Sequence, residues 1–178
     1  VQAYWGEDGM LTVHCKAMCI YANIGDIAEA TGLPAEKVRV IENPTGATFG
    51  WGTAGATYAL AAIACLACDD MPIAFSMTYA EFMAYSGKRA PSYTNARLAC
   101  DKDGKIIAAE WDCGLDHGAY NELGDDLTQR PARFMFFPYN VPNVLALTRV
   151  ACTNHAYGCA YRGYGSPQAY TASEALMD

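Results

Sequence analysis

The sequence predicts an α+β fold of mixed sheets with packed helices. Three observations point there. Strand-like and helix-like stretches interleave without the regular strand–helix–strand alternation of a doubly wound sheet. An Asp-Gly turn joins the two longest strand-like runs into an antiparallel hairpin. No repeat, linker or low-complexity stretch divides the chain. Its 178 residues suit one large domain or two subdomains, about 1–90 and 91–178.

The elements follow in order. Residues 10–15 (Met-Leu-Thr-Val-His-Cys) read as a strand. A helix over 18–31 comes next, closed by Gly32 and Pro34 in the usual stop pattern. Residues 37–42 read as a strand because Val38 and Val40 alternate with charged neighbours. The stretch 43–55 carries Gly46, Gly50, Gly52 and Gly55 and no periodicity, so it is a loop, and it leads into an apolar helix over 56–69. A short strand (73–77) and a short helix (80–85) precede the hairpin strands, 93–100 and 105–113, joined by Asp101-Lys-Asp-Gly-Lys105. A strand over 144–152 leads to a second glycine-rich loop, 157–165. Ser166-Pro167 then opens a helix, since proline suits a first helical turn.

Composition narrows the function classes. Hydrophobic residues make up 52% and charged residues 17%, more apolar than an average soluble domain, so part of the surface is expected to be covered by other domains or subunits. The net charge of −7, with no cluster of Lys and Arg, excludes a protein that follows a phosphate backbone. The longest uncharged apolar run, 54–68, is shorter than the ~18 residues that make a membrane span plausible. No basic, then apolar, leader is visible. Of the eight cysteines, Cys15, Cys65, Cys68 and Cys100 lie in apolar runs, where the thiol behaves as a small hydrophobe. The expected location is a reducing cytoplasm, with no nucleic acid and no membrane as partners.

Cys65-x-x-Cys68 has the spacing of half a zinc site, but it lies inside an apolar helix without a second pair, and helix filling is the expected role. His14, His117 and His155 are far apart in sequence; His117, at a strand end, is expected to be a structural hydrogen-bonding residue. Glu122, Asp125 and Asp126 read as a solvated acidic loop. No Gly-x-Ser-x-Gly nucleophile elbow is present, and no protein-held metal is expected.

The glycine-rich loops carry the chemistry. Glycine lets a backbone approach a ligand closely, and the free N–H groups of a helix start suit anionic groups. Two such loops, each leading into a helix, suggest a large anionic cofactor, although ordinary tight turns would satisfy the spacing alone. The first matches neither a phosphate-binding Gly-x-x-x-x-Gly-Lys-[Ser/Thr] loop nor a dinucleotide fingerprint.

Tyr161-Arg-Gly-Tyr-Gly-Ser-Pro-Gln168 resembles the [Phe/Tyr]-Arg-Gly-[Phe/Tyr]-Gly-x-Pro-Gln segment of the xanthine dehydrogenase/aldehyde oxidoreductase family. Thr48-Phe-Gly50 falls where that family has a Gly-Gly-x-Phe-Gly loop, and the hairpin at 101–105 falls between the two in the same order. Asp116-His-Gly-Ala-Tyr-Asn-Glu-Leu-Gly-Asp125 is most similar to the bacterial aldehyde oxidoreductase branch. The resemblance covers essentially all 178 residues.

The resemblance implies an internal segment of the first molybdenum-cofactor-binding domain of a molybdenum hydroxylase, an incomplete enzyme by itself. Such an oxidoreductase oxidises an aldehyde or an N-heteroaromatic substrate with oxygen from water. Its molybdopterin, in a dinucleotide form, carries molybdenum, and electrons leave to iron–sulfur clusters and, in some members, FAD on other domains or subunits. The absence of a plant-type cysteine spacing fits clusters held elsewhere. By motif position, Phe49 and Gly50 would present backbone to the cofactor, and Tyr161 and Arg162 would do so from the second loop. Thr53 and Tyr164 would line the substrate site. Arg130 would stabilise negative charge developing on the substrate, a catalytic role. The catalytic Glu is expected outside these residues, in the remaining molybdenum-binding domain, and Glu174 is not assigned that role. Met18 stands where the xanthine branch has a Gln near the metal, and Thr53 where it has a purine-binding Glu, which counts against a purine substrate. The competing reading is a non-catalytic binding module holding another anionic ligand on the same scaffold.

Overall fold

A computed structural model describes residues 1–120 and 123–178. The acidic residue Glu122 and the centre of the 116–125 motif therefore lie outside the described residues. The chain divides into two compact units, Val1–Ser86 and Gly87–Asp178. Each has its own sheet and hydrophobic core, and the α+β expectation holds.

The first unit is built on a four-stranded mixed sheet in the order β3-β2-β1-β4. It comprises β1 (Gln2–Trp5), β2 (Leu11–Cys15), β3 (Val38–Glu42) and β4 (Ile73–Ala74). β1 runs antiparallel to β2 and β4, whereas β2 and β3 are parallel, joined across helix α1 (Ile20–Thr31). Central placement buries β2 on both faces, so even Thr12 is fully covered. Helix α1 starts at Ile20 rather than 18 and stops at Gly32, whose φ of 74° suits glycine and whose N–H returns to the Ala28 carbonyl. Helix α2 (Ala56–Ala67) lays Tyr58, Ala61, Ala62 and Cys65 against Leu11, Val13 and Ile27. The strand expected at 73–77 shrinks to two residues. A capping box then opens α3 (Tyr79–Tyr85), in which Thr78 and Glu81 satisfy each other's backbone N–H groups.

The second unit holds a three-stranded sheet, β5-β6-β7, formed by β5 (Ser92–Cys100), β6 (Ile106–Gly118) and β7 (Val144–Cys152). The hairpin turn is as expected: Gly104 adopts φ 80°, and the Asp101 carboxylate accepts from the amides of Asp103 and Lys105. Period-two alternation sends Ala109, Trp111, Cys113 and Leu115 of β6 into the core. They meet α4 (Gly124–Phe134) and α5 (Ser166–Met177) through Leu127 and Ala169.

Two expectations need correction. Asp126 is not in an open acidic loop but in the first turn of α4. Cys68 and Cys100 are exposed; Cys68 falls at the C-cap of α2, where the helix turns out to solvent, and only Cys15 and Cys65 of that group fill the core. None of the eight cysteines is joined in a disulfide. Among the described residues no helix is long and apolar enough to cross a membrane.

Candidate functional site

Loop 43–55 is anchored from behind. The buried Asn23 of α1 sends its amide to the Thr53 carbonyl at 3.2 Å and to the Asp26 carboxylate at 3.3 Å. The Tyr58 hydroxyl donates to the Lys16 and Gly52 carbonyls at 3.1 and 3.4 Å, and burial pushes that phenol well above its ordinary range. The Met18 N–H closes onto the Gly52 carbonyl at 3.1 Å. A β-carbon at Gly52 would lie 2.5 Å from the Lys16 carbonyl, and one at Gly55 would lie 2.3 Å from the Asp26 carboxylate. Glycine is therefore what lets this loop sit down on α1. On the other side the loop is open. Phe49 adopts φ 52° and Gly50 φ 103°, and the Phe49 side chain is 56% exposed. A non-glycine residue held left-handed is a strained feature of the kind that clusters at ligand sites.

Thr53 ends a 3-10 turn, Trp51–Thr53, and its hydroxyl reaches the Met18 sulfur at 3.6 Å; the Thr48 hydroxyl also donates to that sulfur. Met18 and Thr53, the two positions expected from the sequence to depart from the xanthine branch, are thus neighbours.

In the second unit, Gly163, Tyr164 and Gly165 take φ 92°, 39° and 97°, three successive left-handed residues, before α5 begins with no side-chain cap. A β-carbon at Gly165 would lie 2.7 Å from the Arg130 Cβ and 3.0 Å from the Pro131 Cδ, so glycine also allows α5 to start against α4. This geometry brings Arg130 and Tyr164 together, with the guanidinium 5.3 Å from the ring centroid. The Tyr164 hydroxyl donates to the Leu123 carbonyl at 3.1 Å. Burial first and the nearby Asp126 second push its pKa up to about 12, against the pull of Arg130. The phenol is therefore neutral at physiological pH. Among the described residues no carboxylate is paired with the half-buried Arg130. Tyr161 is 47% exposed, and beside it the Arg162 carbonyl accepts from Arg89.

Three contributors had no role assigned from the sequence, although Gln168 lies within the second-loop motif. Asn23 had a signal: it is a polar residue on the apolar stripe formed by Ile20, Ile24 and Ile27. Gln168, 7% exposed, donates to the Ala90 carbonyl at 3.2 Å and ties α5 to the start of the unit. Arg89 had only the adjacent cation Lys88 to mark it. His117 is fully buried with Nδ1 3.0 Å from the Tyr120 carbonyl, the structural role expected for it.

The donor set can be tested against an anionic, organic cofactor. Among the described residues no group of three or more His, Cys, Asp and Glu side chains is placed to hold a metal ion. What the loops offer is backbone N–H at strained positions, uncapped helix starts, exposed aromatic faces and arginine. These groups fit a negatively charged ligand that brings its metal already coordinated.

The comparisons agree. Residues 1–178 match the family described as the molybdopterin cofactor-binding domain, and the chain belongs to it. It is 41% identical over 176 residues to the aldehyde oxidoreductase of Megalodesulfovibrio gigas, covering 99% of this chain and 19% of that protein. It is 30% identical to the nicotinate dehydrogenase large molybdopterin subunit of Eubacterium barkeri, covering 99% of this chain and 41% of that one. The solved structure of aldehyde oxidoreductase from Desulfovibrio gigas superposes with a TM-score of 0.94 at 41% identity, over 99% of this chain and 19% of its own. The resemblance carried by the loop motifs is borne out. The chain spans less than half the length of these relatives.

Proposed function

We infer that this chain is the cofactor-binding portion of a molybdenum hydroxylase that oxidises an aldehyde or an N-heteroaromatic substrate with oxygen from water. The observation that carries the reading is the run of left-handed backbone at 49–50 and 163–165, each ahead of an uncapped helix, in a chain matched throughout by a molybdopterin-binding family. When bound, the cofactor supplies the two-electron oxidation, and the electrons pass to iron–sulfur clusters, with FAD in some arrangements, on other domains or subunits.

The chain's own residues bind and orient. Phe49 and Gly50 in one loop, and Tyr161 and Arg162 in the other, present backbone fixed in advance, so no reorganisation is needed as charge moves. Tyr164 offers a ring face to a planar substrate, and as a neutral phenol bonded to Leu123 it does not serve as a base. Arg130, cationic and held over that ring, stabilises negative charge that develops on the substrate. Thr53 and Met18 replace longer polar groups, which favours an aldehyde or a small heteroaromatic over a purine. Glu174 accepts from the Tyr139 hydroxyl at 2.8 Å, and the general base is assigned instead to the remaining molybdenum-binding domain. A chain whose eight cysteines form no disulfide is consistent with the cytoplasm.

Elemental analysis of the intact active protein tests this reading. It should find about one molybdenum per copy of this segment. An active protein without molybdenum would end it, and a molybdenum-free protein that binds another anion would favour a non-catalytic module instead.

A further inference from the structure

We propose that Arg89 is a positioning residue that fixes the peptide plane between Arg162 and Gly163 and so aims the Gly163 N–H at the cofactor. The proposal rests on the cofactor reading of the second loop.

The segment that carries Arg89 is packed tightly beside that loop. Lys88 bridges Gly158 in parallel: its N–H reaches the Tyr157 carbonyl at 2.9 Å, and its carbonyl takes the Cys159 N–H at 2.9 Å. The approach depends on glycine, because a β-carbon at Gly87 would sit 2.5 Å from the Cys159 Cβ, and one at Gly158 would sit 3.1 Å from the Ala90 Cβ. From this base Arg89 makes two contacts. Its guanidinium carbon lies 4.8 Å from the Tyr161 ring centroid, and its Nη2 donates to the Arg162 carbonyl at 2.5 Å.

The consequence follows from peptide geometry. In a trans peptide the C=O and the following N–H point to opposite sides. With the Arg162 carbonyl drawn to Arg89, the Gly163 N–H points away from Arg89. Among the described residues that N–H has no acceptor within hydrogen-bonding reach. Gly163 has no side chain and φ 92°, a backbone that could otherwise rotate readily between two peptide orientations. Arg89 removes that freedom by two independent contacts, one with the ring before the peptide and one with its carbonyl. A neutral side chain could supply the second contact alone. A cation supplies both.

The test uses the intact holoenzyme with R89A, R89K and R89Q. Three properties are measured: molybdenum per protein, the paramagnetic spectrum of the reduced molybdenum, and amide exchange of peptides spanning 161–165. R89A should lower molybdenum content about tenfold or more, the scale seen when support behind a metal's surroundings is lost. It should also speed exchange across 161–165 and alter the spectrum of the fraction still loaded. R89K keeps a cation over the ring and one donor and should restore both occupancy and spectrum; R89Q should not. If R89A fails to fold, the contrast of R89K with R89Q carries the test. Fast loop exchange with wild-type molybdenum content and spectrum would overturn the proposal, as would R89Q matching R89K. A wild-type enzyme without molybdenum is a different result: it removes the cofactor reading itself, and Arg89's role toward the cofactor goes with it.

Discussion

Loops 43–55 and 157–165 both deliver backbone to a helix start, but they are held by different kinds of group. The first rests on buried neutral donors, the Asn23 amide and the Tyr58 hydroxyl, which take carbonyls of the loop from the protein interior. The second is held by half-exposed cations, Arg89 over Tyr161 and Arg130 over Tyr164, and contains three successive left-handed residues. The contrast has a physical meaning. A loop fixed by buried hydrogen bonds loses its shape when a donor is removed, because a carbonyl is left dry and unsatisfied. A loop fixed by backbone conformation and cation–ring contacts is most sensitive where a side chain is forced onto its left-handed glycines.

The largest effect should therefore fall on Gly165. In Gly165→Ala the new β-carbon meets Arg130 and Pro131, and the residue must also hold φ 97°. Strain of ~1–2 kcal/mol and overpacking of ~1–3 kcal/mol combine there. Gly52→Ala meets only the close carbonyl of Lys16 and the Thr48 side chain, with no positive φ, so ~1–3 kcal/mol is expected. Denaturant melts of the two variants check the order; Gly52→Ala proving the more damaging would break the contrast between the loops. Next comes Asn23→Leu, which fills the buried site but leaves the Thr53 carbonyl unsatisfied, at ~1–3 kcal/mol. Its amide exchange should rise in 48–55 and not in 157–165. Smaller still is Tyr164→Phe. It loses one hydrogen bond to Leu123, ~0.5–1.5 kcal/mol, and keeps the ring under Arg130. Substrate KM should hold nearly steady if the ring face is what matters, and a large rise in KM would instead assign the role to the hydroxyl.

The same contrast explains what could be read from the sequence. The hairpin was legible because its signal is local: Asp101 and Gly104 each solve a backbone problem within five residues. Helix α2 and both glycine-rich loops were legible for the same reason. Strand β1 was not, since Gln-Ala-Tyr-Trp has no alternation and becomes a strand only by pairing with β2 and β4. Helix α4 was hidden by Gly124 at its start, Pro131 within it and few strong helix formers between; packing of Leu127 and Met135 on the β6 core defines it. Within the candidate site, the residues that face outward were marked by their motif, whereas the supports Asn23 and Arg89 were not, and Gln168 stood in the motif without an assigned role. Arg89 acts on Arg162 from 73 residues away, and no local pattern records that distance.

The smallest effect sought separates the two units by their response to acid. In the second unit, Asp116 caps the end of β6. Its carboxylate accepts from Thr153 at 2.6 Å and from the Gly118 N–H at 3.0 Å, and it meets His155 Nδ1 at 2.5 Å. Thr153 first and His155 second lower its pKa from 3.8 to about 2. A carboxyl whose folded pKa is depressed stabilises the fold above its unfolded value, and that contribution fades as pH falls from 3.8 through about 2. The first unit has a simpler counterpart in Asp8, lowered chiefly by its hydrogen bond from Arg39 across an exposed ion pair at 2.7 Å. Asp116→Asn should lower the melting temperature by a constant amount above about pH 4, and the gap to wild type should close as the pH approaches 2. Asp8→Asn should give a shallower version, because an exposed ion pair with Arg39 and a longer bond from the Met10 N–H at 3.2 Å stabilise less than three converging donors. Equal gaps at every pH would mean that Asp116 acts only by shape, and that the ionised carboxylate is not what holds the end of β6 in place.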